Sequence, residues 1–207
     1  MLLVANKVTK LYDSLHMLAN ELSDHFQSLN TERLVVLGAG LPGLGKSEIF
    51  SEVANAQTPP ALHLSDKAIK EMLIRENPDF VPASRRVADK KIRHTLKKTA
   101  TEYLQAGGSV IVDIGHTNVA ERRSNAEHYR QREFGAGAIV AVYFMVEDIE
   151  TVKDKVKSLD LHVREPVLDS MLTSLQLTPP TCREGFDEVI TIDANGSDFH
   201  ILDIEHP

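Results

Sequence analysis

The sequence has no tryptophan, a single cysteine and only 5% aromatic residues. A lone Cys182 cannot close an internal disulfide, so nothing here calls for an oxidising compartment, and the thiol reads as an ordinary one. Scarce aromatics leave few of the stacking platforms on which single-stranded nucleic acid is held. No stretch approaches the ~18 consecutive apolar residues of a membrane span. The first residues lack the basic start, apolar core and small-residue cleavage site of a secretory signal, so a cytoplasmic placement is expected. Asn195-Gly196-Ser197 spells a glycosylation sequon and, without such a signal, reads as a turn. Cys/His metal-binding spacing and the Gly-x-Ser-x-Gly elbow of a serine hydrolase are both missing. Positive charge is also in deficit. With 23 Lys and Arg against 30 Asp and Glu, the net charge of −7 opposes non-specific binding to bulk nucleic acid.

What remains is an ordinary globular composition, 42% hydrophobic and 26% charged over 207 residues, enough for one domain with an appendage. Residues 1–31 read as an amphipathic helix, with Val4, Val8, Leu11, Leu15, Leu18, Leu22, Phe26 and Leu29 spaced by three and four. The stripe serves either to pack on its own domain or to form the seam of a homodimer. From residue 32 to 207, short apolar runs alternate with helical patterns. Strands are expected at 34–37, 61–64, 110–112, 138–145 and 188–192. Helices are expected at 46–56, 66–75, 84–105, 120–134, 148–157 and 166–175. That alternation predicts an α/β domain around a mostly parallel sheet.

The glycine-rich loop Gly-Ala-Gly-Leu-Pro-Gly-Leu-Gly-Lys-Ser, residues 38–47, fits two patterns. Gly38-x-Gly40-x-x-Gly43 matches a dinucleotide-binding turn, and Asp66 stands near the distance at which that fold wants a ribose-binding acid. Gly40-x-x-x-x-Gly45-Lys46-Ser47 matches a Walker A phosphate loop. The two residues after the last glycine favour the second. A Walker A loop needs a lysine to reach the β- and γ-phosphates and a hydroxyl for Mg²⁺, whereas a dinucleotide fold needs an apolar helix start. Gly40, Leu41, Pro42, Gly43, Leu44, Gly45, Lys46 and Ser47 are therefore the expected nucleotide-binding residues. Their backbone N–H groups would form an anion nest at the positive end of the next helix.

The ordered set of motifs resembles the P-loop kinases of the polynucleotide 5′-hydroxyl kinase and zeta-toxin-like group, which carry an AAA-type ATP-binding domain. The stretches that carry the resemblance are residues 40–47, Leu-Ser-Asp-Lys-Ala-Ile-Lys at 64–70, Val-Ile-Val-Asp-Ile-Gly-His-Thr-Asn at 110–118, Glu121-Arg122-Arg123, and Glu184-Gly185-Phe186-Asp187-Glu188-Val189. They cover about residues 32 to 193. The resemblance implies a three-layer P-loop NTPase fold with five strands in the order 2-3-1-4-5 and a lid at about 153–166. It also implies ATP with Mg²⁺ as the phosphate donor. It further implies Asp66 as general base, Arg123 and the lid's Arg164 as catalytic cations, and Lys70, Arg86, Asp113, Thr117 and Asn118 at the acceptor. Two departures stand out. The lid region reads Lys153-Asp154-Lys155-Val156-Lys157 in place of paired arginines, and lysine lacks arginine's bidentate fork. Lys67 or Lys70 stands where an acceptor-site arginine is usual.

Physical chemistry gives each residue a role and an alternative. Phosphoryl transfer needs held phosphates, a metal, a base and cations for the developing charge. Lys46 and the loop amides would hold phosphates, and Ser47 would hold Mg²⁺. Asp66 is either the base or the N-cap of the following helix. Asp113 holds a Mg²⁺-bound water or forms a turn before Gly115. Arg123 is catalytic or a surface charge. His116 touches substrate or is bland.

Seven of the 23 cations, Arg85 to Lys98, fall within 14 residues opposed only by Asp89. Positions 86, 90, 93 and 97 share a helical face, which fits either an anionic acceptor such as a nucleic-acid backbone or a solvated face. Three functions remain open at this point. They are a kinase of nucleic-acid ends or nucleotide-like acceptors, a small-molecule kinase, and a nucleotide-binding regulatory module.

Overall fold

The computed structural model describes residues 2–77, 85–159, 163–195 and 199–207, with side chains from Ser14 onward except those of Arg85 and Arg86. Seven α-helices and six strands alternate along these residues. In chain order they are α1 (Leu2–Ser28), β1 (Leu34–Ala39), α2 (Lys46–Ala56), β2 (Leu62–Ser65), α3 (Asp66–Glu76), α4 (Arg85–Gln105), β3 (Val110–Asp113), α5 (Val119–Arg130), β4 (Ala138–Met145), α6 (Ile149–Ser158), α7 (Glu165–Leu177), β5 (Glu188–Asp193) and β6 (His200–Glu205).

The sheet order is β2-β3-β1-β4-β5-β6. The first five strands are parallel, in the expected order. The sixth, which the sequence reading did not include, pairs antiparallel with β5 at one edge. It is half exposed, with His200, Leu202 and Asp203 open to solvent, so it has none of the continuous apolar signal of a buried strand. β1 shows the opposite pattern: all six of its residues are buried, because helices cover both faces of a parallel sheet.

Two apolar cores flank the sheet. One joins α1, α2, α6 and α7 through Leu18, Leu22, Phe26, Ile49, Phe50, Val152, Val156 and Leu168. The other joins α3, α4 and α5 through Ile69, Leu73, Leu96, Leu104, Ala126 and Tyr129. The described apolar positions of the N-terminal stripe therefore face inward. Leu18, Leu22 and Phe26 are at most 3% exposed, Leu15 packs on the same core, and Ser14 Oγ accepts a hydrogen bond from Phe199 N at 2.7 Å. Val4, Val8 and Leu11 lie outside the described side chains.

The parallel register brings the carboxyl ends of the strands to one edge. Asp113 stands level with Gly38 of β1 on one side and Ser65 of β2 on the other. The phosphate loop follows β1 directly, so the loop, Asp66 and the segment after Asp113 share that edge, where open α/β sheets place their ligands.

Candidate active site

The loop between β1 and α2 is held by its glycines and by a neighbouring strand. Gly40 has φ 151°, and a β-carbon there would stand 2.9 Å from Phe144 Cβ, so only glycine fits. Gly45 caps α2 in the left-handed region at φ 76°. Gly40 N donates to Gly115 O at 2.9 Å, tying the loop to the segment after β3.

Lys46, the first residue of α2, is only 7% exposed. Its Nζ folds back and donates to Leu41 O at 2.6 Å, across the mouth of the loop. Burial lowers its pKa from the usual lysine range, opposed by the nearby carboxylates of Asp113 and Glu48. Ser47 Oγ donates to Asp113 Oδ2 at 2.5 Å. Burial acts to raise the Asp113 pKa, but His63, Lys46 and Ser47 together outweigh it, so the carboxyl sits below the usual range and is ionised. His63 Nε2 stands 3.9 Å from Asp113 Oδ2, an ion-pair distance too long for a hydrogen bond. A hydroxyl and an ionised carboxylate in contact are hard oxygen donors, the chemistry that Mg²⁺ prefers. Three or more clustered His, Cys, Asp or Glu side chains, as a wholly protein-bound metal would need, do not occur among the described residues.

Asp66 opens α3 at the same edge. Ser65, and not Asp66, is the N-cap: its side chain accepts from Ala68 N at 3.2 Å. The Asp66 carboxyl is therefore free of the capping role and open to solvent at the rim. The protein mass around it raises its pKa above the usual carboxylate range, Arg93 lowers it, and Asp113 and Asp89 raise it further. Arg93 was read in the sequence only as one cation of the α4 patch. It reaches across to the first turn of α5, where its guanidinium pairs with Glu121 Oε1. Other patch members are also engaged. Lys98 stands 3.8 Å from Glu102, and Lys97 is half-buried, with its pKa lowered by desolvation. Arg86 lies outside the described side chains. Lys67 and Lys70 are exposed on α3 with no charged partner among the described residues.

The Arg122-Arg123 pair divides sharply. Arg122 is fully buried and grips Glu184 in a two-pronged pair, Nε to Oε2 at 2.7 Å and Nη2 to Oε1 at 2.8 Å. It also donates to Thr178 O at 2.7 Å and to His116 O at 3.3 Å. Arg123 is exposed on α5 and makes no ion pair among the described residues. His116 is 1% exposed and has φ 37°. Its Nδ1 bonds Gly38 O at 2.9 Å, while Nε2 has no hydrogen-bond partner among the described residues. Burial pushes its pKa down to about 4, so the ring is neutral near pH 7.

Asn118 caps α5, its Oδ1 accepting from Ala120 N at 2.8 Å and Glu121 N at 3.3 Å. The Thr117 carbonyl accepts from Ser174 Oγ of α7 at 2.9 Å. Between this segment and α7 lies a cavity of about 360 Å³, which brings together Thr117, Asn118 and Arg164 with Ser170, Met171 and Ser174.

The expected lid, 153–166, falls on the end of α6, the connection to α7 and the first residues of α7, with 160–162 outside the described residues. Lys153 bridges Glu150 at 2.9 Å and Asp169 at 3.3 Å, and Lys157 pairs with Glu165 at 3.2 Å. These two lysines clamp α6 to α7. The third, Lys155, is half-buried with its Nζ 5.6 Å from the centre of the Phe199 ring. α6 lies on the phosphate loop itself, since a β-carbon at Gly43 would be 3.3 Å from Val156 Cγ2.

A family model described as an AAA domain matches residues 35–177. The chain belongs to the AAA domain family. Solved structures share the fold. One is a provisionally assigned kinase of Chloroflexus aurantiacus, 19% identical, covering 79% of this chain and 89% of its own, with a TM-score of 0.54. A second is from the Pnkp1/Rnl/Hen1 RNA repair complex, 16% identical, covering 75% of this chain and 46% of its own, with a TM-score of 0.57. A third is AvrRxo1-ORF1:-ORF2 with ATP, 13% identical, covering 95% of this chain and 69% of its own, with a TM-score of 0.54. At these identities the likeness is one of fold. No curated protein matches significantly. Family and fold place the glycine loop as a P-loop, and the Gly38-x-Gly40-x-x-Gly43 match is incidental to a glycine-rich turn. No described helix is long and apolar enough to cross a membrane.

Proposed function

We propose that this AAA-domain protein is an ATP-dependent phosphotransferase that moves the γ-phosphate to a hydroxyl. The single observation that carries the reading is the convergence on one sheet edge of the phosphate loop, the Ser47–Asp113 contact at 2.5 Å and the uncommitted carboxyl of Asp66. Lys46, released from Leu41 O, neutralises charge on the transferred group. Asp66 takes the proton of the attacking hydroxyl, a role that its raised pKa and rim position suit. Ser47 and Asp113 would hold Mg²⁺. The ion would supply charge neutralisation across the β- and γ-phosphates. Arg123 remains a candidate cation for the developing charge, Arg164 a candidate for that charge or for the acceptor, and Thr117, Asn118 and Lys70 candidates for holding the acceptor.

The acceptor is a nucleic-acid end, a nucleotide-like molecule or a small metabolite. The α4 patch motivates the first, and the pairing of Arg93 with Glu121 of α5 and of Lys98 with Glu102 weakens it. Transfer from γ-labelled ATP tests the activity, with 5′-hydroxyl DNA and RNA and a panel of small alcohols as acceptors. Label on one acceptor class, lost in Lys46→Ala, supports the reading. ATP binding without transfer to any acceptor moves the protein to a nucleotide-binding regulator. Steep loss of acceptor binding with salt would mark several phosphate contacts and a nucleic acid. The metal assignment is tested by affinity alone: Ser47→Ala should lose the gain in ATP affinity that Mg²⁺ confers on the wild type, measured by calorimetry.

A further inference from the structure

Resting on the phosphotransfer reading, we infer that the acceptor is a small polyhydroxylated molecule carrying an anionic group, held in the cavity between α7 and the segment Thr117–Asn118. The cavity, about 360 Å³, falls in the range of small-ligand sites and far below what a polymer needs. It adjoins the catalytic edge. One wall is Thr117–Asn118, four and five residues beyond Asp113; just before it Gly115 O accepts from Gly40 N of the phosphate loop, and Ser174 ties it to α7.

The lining chemistry names the ligand class. The hydroxyls of Thr117 and Ser170 make no hydrogen bond among the described residues. Ser174 Oγ donates to Thr117 O and keeps its lone pairs free to accept. Asn118 Oδ1 is occupied by the α5 cap, so its amide N–H groups remain as donors. These groups present both donors and acceptors, which suits a ligand rich in hydroxyls. Met171 and Pro166 supply an apolar wall for the C–H face of such a ligand. No aromatic ring among the described residues lines the space, so a base has nothing to stack on. Arg164 brings one guanidinium with no carboxylate partner among the described residues, a fork that matches phosphate or carboxylate. One cation means one anionic group, in contrast to the row of phosphates along a strand.

The test uses the full chain saturated with Mg²⁺ and a non-hydrolysable ATP analogue, and measures binding by calorimetry. The probes are ribose 5-phosphate and glucose 1-phosphate, the two parent sugars, and a short 5′-hydroxyl oligothymidylate. The wild type should bind a sugar phosphate about tenfold or more tighter than its parent sugar. Arg164→Gln should erase that difference. Met171→Trp, which fills the cavity, should abolish sugar-phosphate binding while leaving affinity for the ATP analogue intact. Arg132→Gln, an exposed arginine away from the cavity, should change none of these. The inference is overturned if neither sugar phosphate binds, or if the oligothymidylate binds and Met171→Trp leaves its affinity unchanged. Failure of the phosphotransfer reading looks different: the sugar phosphate binds through Arg164, yet no label moves from ATP to any acceptor.

Discussion

The two halves of the proposed catalytic edge hold their charges in opposite ways. On the nucleotide side Lys46 and Asp113 are buried, and each is fixed by a short hydrogen bond to its neighbour. On the proposed acceptor side Asp66, Lys70, Arg93 and Arg164 are exposed, and among the described residues only Arg93 has a charged partner. Triphosphate and loop backbone must meet at fixed distances, so that half needs rigid geometry. The acceptor differs from one member of a fold to the next, so its half is built from side chains on helix surfaces and rims, which can change without disturbing the core.

The sharpest way to break this comparison is at the adjacent residues 122 and 123. Arg122→Ala leaves Glu184 as an unpaired buried charge and should cost about 3–5 kcal/mol in urea unfolding. Arg123→Ala should change stability by less than about 0.5 kcal/mol. Equal losses would show that burial is not what separates the two.

Lys46→Ala should lower kcat/KM for ATP by about 10²–10³-fold, with little change in melting temperature. Next comes His116, whose folded pKa is depressed from 6.5 to about 4. The unfolded chain therefore takes up the proton first. The stability that comes from keeping this ring neutral is present above pH 6.5 and is lost as pH falls towards about 4, a loss of about 3 kcal/mol. His116→Asn, which tolerates the left-handed backbone, should flatten the stability profile in that window. The smallest effect lies on the acceptor side. Arg93 lowers the pKa of Asp66, so Arg93→Gln should move the acid limb of kcat/KM to higher pH without changing ATP affinity.

The same contrast governs what could be read from the sequence. The five parallel strands and their helices were legible because buried strands are continuous apolar runs and the helices are periodic. β6 was not, since an edge strand with His200 and Asp203 has neither pattern. Lys46 and Ser47 stand out in the sequence because a phosphate loop needs particular residues at particular spacings, and Asp113 only because it ends an apolar run. The Arg93–Glu121 pair was not, because its partners lie 28 residues apart on two helices and meet only through tertiary packing. The Arg122–Glu184 pair was hidden for the same reason: the partners are 62 residues apart, and sequence alone does not tell a buried arginine from an exposed one.

The central claim is that this edge transfers phosphate with Asp66 as base, and one experiment bears on it most directly. ATP affinity and transfer of the labelled γ-phosphate are measured side by side for the wild type and Asp66→Asn across nucleic-acid ends and sugar phosphates. The account predicts unchanged ATP affinity and loss of transfer in the variant. Transfer at the wild-type rate by Asp66→Asn would contradict it.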